Sequence, residues 1–228
     1  MEIDQSEDGI TLSQRGYLGN LLKKFRMKDC NPLKVGMKWT THDVTAAERS
    51  EKPFKEGIGN ALCFGTLMHL AVGIPPDISH AVSLLSQFSD CYTDQHWGSA
   101  KRVLRYLHGT TNFCLSFRKS NQPLRAFVDD DWAGCSLDRR SFTGYAFLPG
   151  DAAISWESRK QRTVALPPTE TEYMALSDAV KEAIYLRTYL KELGFNEIAD
   201  LVIMCHNRGA IQLAENPVFH KRMKHIDL

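Results

Sequence analysis

The sequence has almost no charge of either sign in excess. Its 228 residues carry 28 Lys and Arg against 27 Asp and Glu, a net charge of +1. No global basic field announces nucleic acid, so any such contact must come from local clusters. Paired cysteines are also missing. The six cysteines, Cys30, Cys63, Cys91, Cys114, Cys135 and Cys205, are scattered with no C-x-x-C pair. That pattern argues against a disulfide framework or a zinc ribbon, and a reduced intracellular setting, cytoplasmic or nuclear, is the expectation. No apolar run reaches about 18 residues, so no membrane span is expected. The start, Met1-Glu2-Ile3-Asp4-Gln5, lacks the charged-then-apolar pattern of a signal peptide. Internal repeats and low-complexity tracts are absent too. The composition that remains, 43% hydrophobic and 24% charged, fits a globular chain of one large or two small domains.

The densest local signal is Phe127-Val128-Asp129-Asp130-Asp131-Trp132-Ala133-Gly134. A short apolar run from Leu124 to Val128 delivers consecutive carboxylates and ends at small residues. On a strand, Asp129 and Asp131 share one face and Asp130 takes the other. Clustered carboxylates repel one another, and are tolerated when solvated or when divalent cations sit among them. Both readings fit this stretch alone.

Upstream, the pattern is helical. Gly9 to Leu12 looks extended, and Ser13 is placed to cap a helix through about Met27, with Tyr17, Leu21, Leu22 and Phe25 on one face. Residues 33–54 read as a connector. Ile58 to Val72 predicts a buried helix closed by Gly73-Ile74-Pro75-Pro76. Further helices are expected over Asp77 to Phe88 and from Thr93 or Asp94 to a C-cap at Gly109. The last carries an apolar stripe of Trp97, Ala100, Val103, Leu104 and Leu107, with Lys101, Arg102 and Arg105 off it. Those cations suit a solvated face as well as a nucleic-acid contact.

Asn121-Gln122-Pro123 reads as a boundary. Extended runs follow at Leu124 to Val128, Gly144 to Leu148, Ala153 to Trp156 and Thr163 to Leu166, with a turn at Pro149-Gly150-Asp151. Short strands joined by turns predict an antiparallel meander. Thr169-Glu170-Thr171-Glu172 has capping-box spacing. The helix it opens carries Tyr173, Leu176, Val180, Ile184 and Leu190 on its apolar face and ends at Gly194. A strand from Leu201 to Cys205 and a short helix near Arg208 to Glu215 complete a mixed α/β pattern.

Several ordered stretches resemble the Pol polyproteins of copia-type LTR retrotransposons. In the first half they are Leu12-Ser13-Gln14-Arg15-Gly16-Tyr17, Pro76-Asp77-Ile78-Ser79-His80-Ala81-Val82 and the run from His96-Trp97-Gly98 to Leu107-His108-Gly109-Thr110. In the second half they include the aspartate stretch itself, Asp138-Arg139-Arg140-Ser141 and Ile154-Ser155-Trp156-Glu157-Ser158-Arg159-Lys160-Gln161. Thr169-Glu170-Thr171-Glu172-Tyr173, Asn216-Pro217-Val218-Phe219-His220 and Lys224-His225-Ile226-Asp227 continue the series. Pro75 stands where the family usually has Arg. The resemblance implies that residues 1–120 are a helical, thumb- or connection-like C-terminal segment of reverse transcriptase without the palm. It implies that residues 121–228 are a ribonuclease H-like βββαβα domain, cut short within its last helix.

The resemblance further implies cleavage of the RNA strand of an RNA–DNA hybrid by two magnesium ions, with manganese as a substitute, and the rest of Pol as a partner. Its ligands fall on Asp129, Glu172, position 206 and Asp227, with Asp131 a lesser candidate. Glu172 equally fits a capping box, and Asp227 a solvated surface acid. Position 206 departs from the family: Met204-Cys205-His206-Asn207-Arg208 replaces the family's Tyr-Cys-Asp-Asn-Gln. Imidazole removes a negative charge and suits zinc, copper or iron better than magnesium, so weak or absent magnesium-dependent cleavage is expected. Pro167-Pro168 replaces the family's two serines. A dedicated zinc site is not expected, since Cys205 and His206 are adjacent on a strand and His220 and His225 have no cysteine pair. Either of those histidines resembles the family's product-release histidine. Arg139, Arg140, Arg159, Lys160, Arg162, Lys221, Arg222 and Lys224 are candidates for phosphate contact. A module that binds hybrid without cutting it, or a remnant without function, are the alternatives.

Overall fold

The computed structural model describes residues 1–33, 58–120, 122–131, 138–164 and 168–215. The chain divides into two compact units, Met1–Ser116 and Phe117–Leu228. Both helices and a mixed sheet are present, so the α/β class holds.

The first unit opens on a hairpin, β1 (Glu2–Ser6) against β2 (Gly9–Ser13). Only Gly9 to Leu12 is extended in the sequence reading, and Ser13 does not cap the helix. Its hydroxyl donates instead to Glu2 Oε2 at 2.8 Å, while Glu2 Oε1 accepts the Gly16 amide at 2.7 Å. A carboxylate from the partner strand thus takes the capping role, and α1 (Arg15–Lys24) starts after Gln14. Then come α2 (Ile58–Gly73), a 3-10 turn (Pro76–Ile78), α3 (Ser79–Ser86) and α4 (Asp94–Gly109). Proline at the start of the segment makes its first turn tighter than the single helix expected there. Strand β3 (Leu115–Phe117) completes a three-stranded sheet in the order β1-β2-β3.

The core of this unit is Phe64, Leu67, Leu70, Val82, Leu84, Leu85, Val103 and Leu104. Thr93 and His96 form a capping box at the start of α4, and the His96 ring stacks on Phe88 with centroids 4.1 Å apart. Past the other end, Thr110 rather than Gly109 is the C-cap. Arg105 Nε donates to Asn31 O at 2.7 Å, and the Leu33 amide donates to Arg105 O at 3.0 Å. A Cβ on Gly109 would lie 2.2 Å from Leu33 O. The connector expected over 33–54 lies outside the described residues, apart from Leu33.

The second unit is a four-stranded sheet in the order β6-β5-β4-β7, from β4 (Leu124–Asp131), β5 (Phe142–Pro149), β6 (Ser155–Lys160) and β7 (Leu201–Met204). The first three strands in sequence pair antiparallel and β7 joins β4 in parallel. No strand forms at Thr163–Val164, and the rest of that expected run is outside the described residues. Gly150, at φ +80, makes the β5 turn.

The long helix α5 (Pro168–Glu192) packs on the sheet, and α6 (Arg208–Glu215) follows β7. Helix α5 already includes Pro168, so Thr169 is not its N-cap and the capping-box reading of Glu172 fails. Proline suits the first helical position, because its φ is preset and its missing N–H would have no partner. The expected apolar face holds at Tyr173 and Leu190, both buried, and is displaced between them. Val180 and Ile184 are exposed, whereas Ala175, Ala179, Ala183, Leu186 and Leu190 are buried against Leu124, Ala126, Val128 and Phe147. Small side chains let the helix approach the sheet closely, which decides the face over side-chain size.

Candidate functional site

Strand β4 sets the first corner. Leu124, Ala126 and Val128 point under α5, and Asp130 continues that face, while Asp129 follows exposed Phe127 on the other. Asp129 Oδ1 accepts the Asp130 amide at 2.9 Å. Asp131 is occupied structurally: its Oδ1 accepts the Phe142 amide at 2.6 Å where β4 and β5 part.

Glu172 sits in the first turns of α5 and is 4% exposed. Gln161, buried just past β6, fixes that turn. Its Nε2 lies 3.1 Å from both Thr143 Oγ1 and Thr171 O, and its backbone N–H donates to Ser141 O at 2.8 Å. One side chain therefore ties β5, the end of β6 and the helix start. Glu172 Oε2 and Asp130 Oδ2 are buried with no other donor among the described residues, and the two carboxyl groups hydrogen-bond one another. Burial, reinforced by the Asp130 charge, pushes the Glu172 carboxyl up to about 7. Burial also raises Asp130, which faces the charges of Asp129 and Asp131. Two carboxyl groups in this state call for a shared proton or a cation.

Parallel pairing of β7 with β4 brings the third corner alongside. Asn207 caps α6, its Oδ1 accepting the Ala210 amide at 3.0 Å, and Gly209 fits closely against Thr169 of α5. This cap holds the preceding residue, His206, at the strand end. His206 Nε2 is 3.1 Å from Glu172 Oε1 and Nδ1 is 3.8 Å from Asp129 Oδ1. Asp129, Glu172 and His206 each offer a ligand atom within 4.8 Å of the others.

Of the four expected corners, these three converge. Asp227 lies outside the described residues, as do Lys221, Arg222, Lys224, His220 and His225. Among the expected phosphate-contacting cations, several are already paired. Arg159 contacts Asp178 at 2.7 Å and Glu157 at 3.5 Å, Lys160 contacts Asp138 at 2.9 Å, and Arg140 contacts Asp138 at 3.5 Å. Arg139, in a left-handed conformation at φ +58, has no ion pair with the described residues. Two residues near the site carried no role in the sequence reading: Asp130, which period two does place on the α5 face, and Gln161, for which no local signal exists.

The chain is 38% identical over 222 residues to the retrovirus-related Pol polyprotein from transposon TNT 1-94 of Nicotiana tabacum, covering 96% of this chain and 17% of that protein. It is 38% identical over 229 residues to the Pol polyprotein from transposon RE2 of Arabidopsis thaliana, covering 100% of this chain and 16% of that protein. The chain belongs to the copia-type retrotransposon Pol polyproteins. It spans about a sixth of the length of these Pol relatives. A second kind of relative is the secreted RxLR effector protein 161 of Plasmopara viticola, 48% identical over 123 residues, which are 54% of this chain and 87% of that protein. No protein-family model and no solved structure matches the chain. Among the described residues of this Pol segment, no helix is long and apolar enough to cross a membrane.

Proposed function

We propose that this Pol segment carries a ribonuclease H-like module that holds RNA–DNA hybrid and cuts it weakly or not at all with magnesium. The observation that carries this reading is the convergence of Asp129, Glu172 and His206 from β4, α5 and the end of β7. The sheet order supports it, since parallel β7 beside β4 is what brings position 206 next to Asp129. On this reading the module occupies 121–228 and residues 1–120 are the reverse-transcriptase-derived segment. Hybrid and the remainder of Pol are the partners.

A magnesium pair, when bound, would stabilise the attacking and leaving oxygens of an in-line displacement. The donors present do not fit that pair. Magnesium requires oxygen ligands in near-octahedral geometry, and the third corner offers imidazole. What the described residues supply is the hybrid-facing scaffold and two of the carboxylates, Asp129 and Glu172.

The test is hybrid binding and cleavage, with magnesium and then manganese, for the natural chain and His206→Asp. The natural chain is expected to prefer hybrid over single strand. His206→Asp is expected to cleave at least about 10-fold faster with magnesium, the scale of even indirect losses at metal sites. Equal cleavage by the two proteins would defeat the impairment, and equal affinity for hybrid and single strand would defeat the binding assignment.

A further inference from the structure

We propose that Asp129, Glu172 and His206 together take one first-row transition dication of the zinc class, in place of a magnesium pair. This rests on the reading of these residues as a ribonuclease H-type site that has lost a carboxylate.

The geometry suits one ion. Around a tetrahedral first-row ion with bonds of about 2.0–2.2 Å, donor atoms lie about 3.3 Å apart. His206 Nε2 and Glu172 Oε1 already stand 3.1 Å apart. Asp129 lies within 4.8 Å of both, and its side chain is 75% exposed, so it has room to turn inward. A magnesium pair needs a second set of oxygen donors to hold ions about 3.5–4 Å apart.

The chemistry points the same way. Two carboxylates balance the charge of one dication, and a mixed imidazole and carboxylate set favours zinc over magnesium. The independent observation is Glu172 itself: its residue is 4% exposed, and its buried carboxyl faces the Asp130 carboxyl with no other donor at Oε2 among the described residues. Two buried carboxyl groups face to face are costly unless they share a proton or a cation, and an ion held by Asp129 and His206 would sit beside them.

The experiment is isothermal titration of the full chain, kept reduced and stripped with chelator, using zinc and magnesium chlorides separately. Cobalt absorption reports coordination number as a second readout. The expected result is a zinc equivalent bound at least about 10-fold more tightly than magnesium. His206→Gln and Glu172→Gln should each weaken it by at least about 10–100-fold, the scale of losses one shell further out, and His206→Asp should shift preference toward magnesium. Far-UV circular dichroism checks that the variants fold; the His206 side chain is 69% exposed, so its replacement should be tolerated. Zinc bound equally well by both Gln variants would place the ion on cysteines or other histidines and overturn the proposal, as would equal affinity for the two metals. Hybrid binding is measured separately in chelator. Its loss with site zinc retained overturns the hybrid assignment and leaves the metal proposal supported, whereas hybrid binding with no site zinc overturns the metal proposal alone.

Discussion

The two units use their polar motif residues in opposite ways. In the first, His96 closes a capping box, Arg105 holds the Asn31 carbonyl, Tyr106 bonds Asp77, and Gly109 leaves room for Leu33. Those side chains are spent on holding helices and chain together. In the second, Asp130 and Glu172 are brought together half-buried and buried, two carboxyl groups hydrogen-bonded to one another, beside an exposed His206. Capping and clamping account for the roles of the first set. They do not explain the second, because burying two facing carboxyl groups works against folding. Family motifs of similar density therefore mark a scaffold in one unit and a candidate site in the other.

The largest effect that tests this contrast is expected at two glycines. A Cβ on Gly109 meets backbone, Leu33 O at 2.2 Å and Leu33 C at 2.9 Å. Backbone cannot swing away, so Gly109→Ala should destabilise the chain by about 1–3 kcal/mol, the usual cost of overpacking. In the second unit, a Cβ on Gly209 meets side chains, Thr169 Cγ2 at 2.8 Å and Asn207 Oδ1 at 3.1 Å. Gly209→Ala should cost less stability, while disturbing the Asn207 cap that holds His206 and so weakening ion binding. Urea unfolding and metal titration of both variants check the pair. If Gly109→Ala unfolds at the same urea concentration as the natural chain, the clamp between α4 and Leu33 is not structural.

A smaller effect, of opposite sign, is expected at Glu172. Burial raises its carboxyl from 4.5 to about 7, so the folded chain binds this proton more tightly than the unfolded one. The protonated group supports folding fully below about 4.5, and that support is lost as pH rises through about 7. Glu172→Gln removes the ionisable group. In chelator at pH 8 it should be more stable than the natural chain by about 1–2 kcal/mol. That is less than the roughly 1.4 kcal/mol per tenfold change in proton affinity would give, since solvent reaches the site past His206. Near pH 5 the advantage should shrink. Denaturant midpoints at both pH values decide it, and a Gln variant that is less stable at pH 8 would mean the carboxylate is satisfied after all.

Much of the fold is legible in the sequence where one pattern dominates. The α2, α4 and α6 segments, the β4 and β5 strands and the Gly150 turn follow from periodicity and turn residues. Helix α5 does not, because hydrophobic size points to Val180 and Ile184 while close packing on the sheet selects Ala175, Ala179 and Ala183. Glu172 shows the same limit. Its spacing from Thr169 imitates a capping box, but Pro168 already lies inside the helix and releases the carboxylate for the site. Asp129, Glu172 and position 206 are far apart in sequence, and only resemblance brings them together in advance. Gln161 has no local signal, since its role exists only once β5, β6 and α5 meet.

The smallest effects concern the basic residues, where the contrast between spent and available groups can be drawn within one unit. Arg159 is held by Asp178 and Glu157, although its side chain is 46% exposed. Exposed pairs of this kind contribute less than about 1 kcal/mol, so Arg159→Gln should lower stability only slightly. Arg139 has no ion pair with the described residues, so Arg139→Gln should leave stability unchanged. Hybrid binding should rank them the other way. A cation that neutralises a phosphate contributes about 0.9 to the slope of log affinity against log salt. Arg139→Gln should reduce that slope by about that amount, and Arg159→Gln by less, because its charge is already compensated by carboxylates. Titrations of hybrid at several salt concentrations separate the two. An equal drop for both would mean that the Arg159 pairs open on binding, and that an ion pair in this unit does not mark a cation as structurally spent.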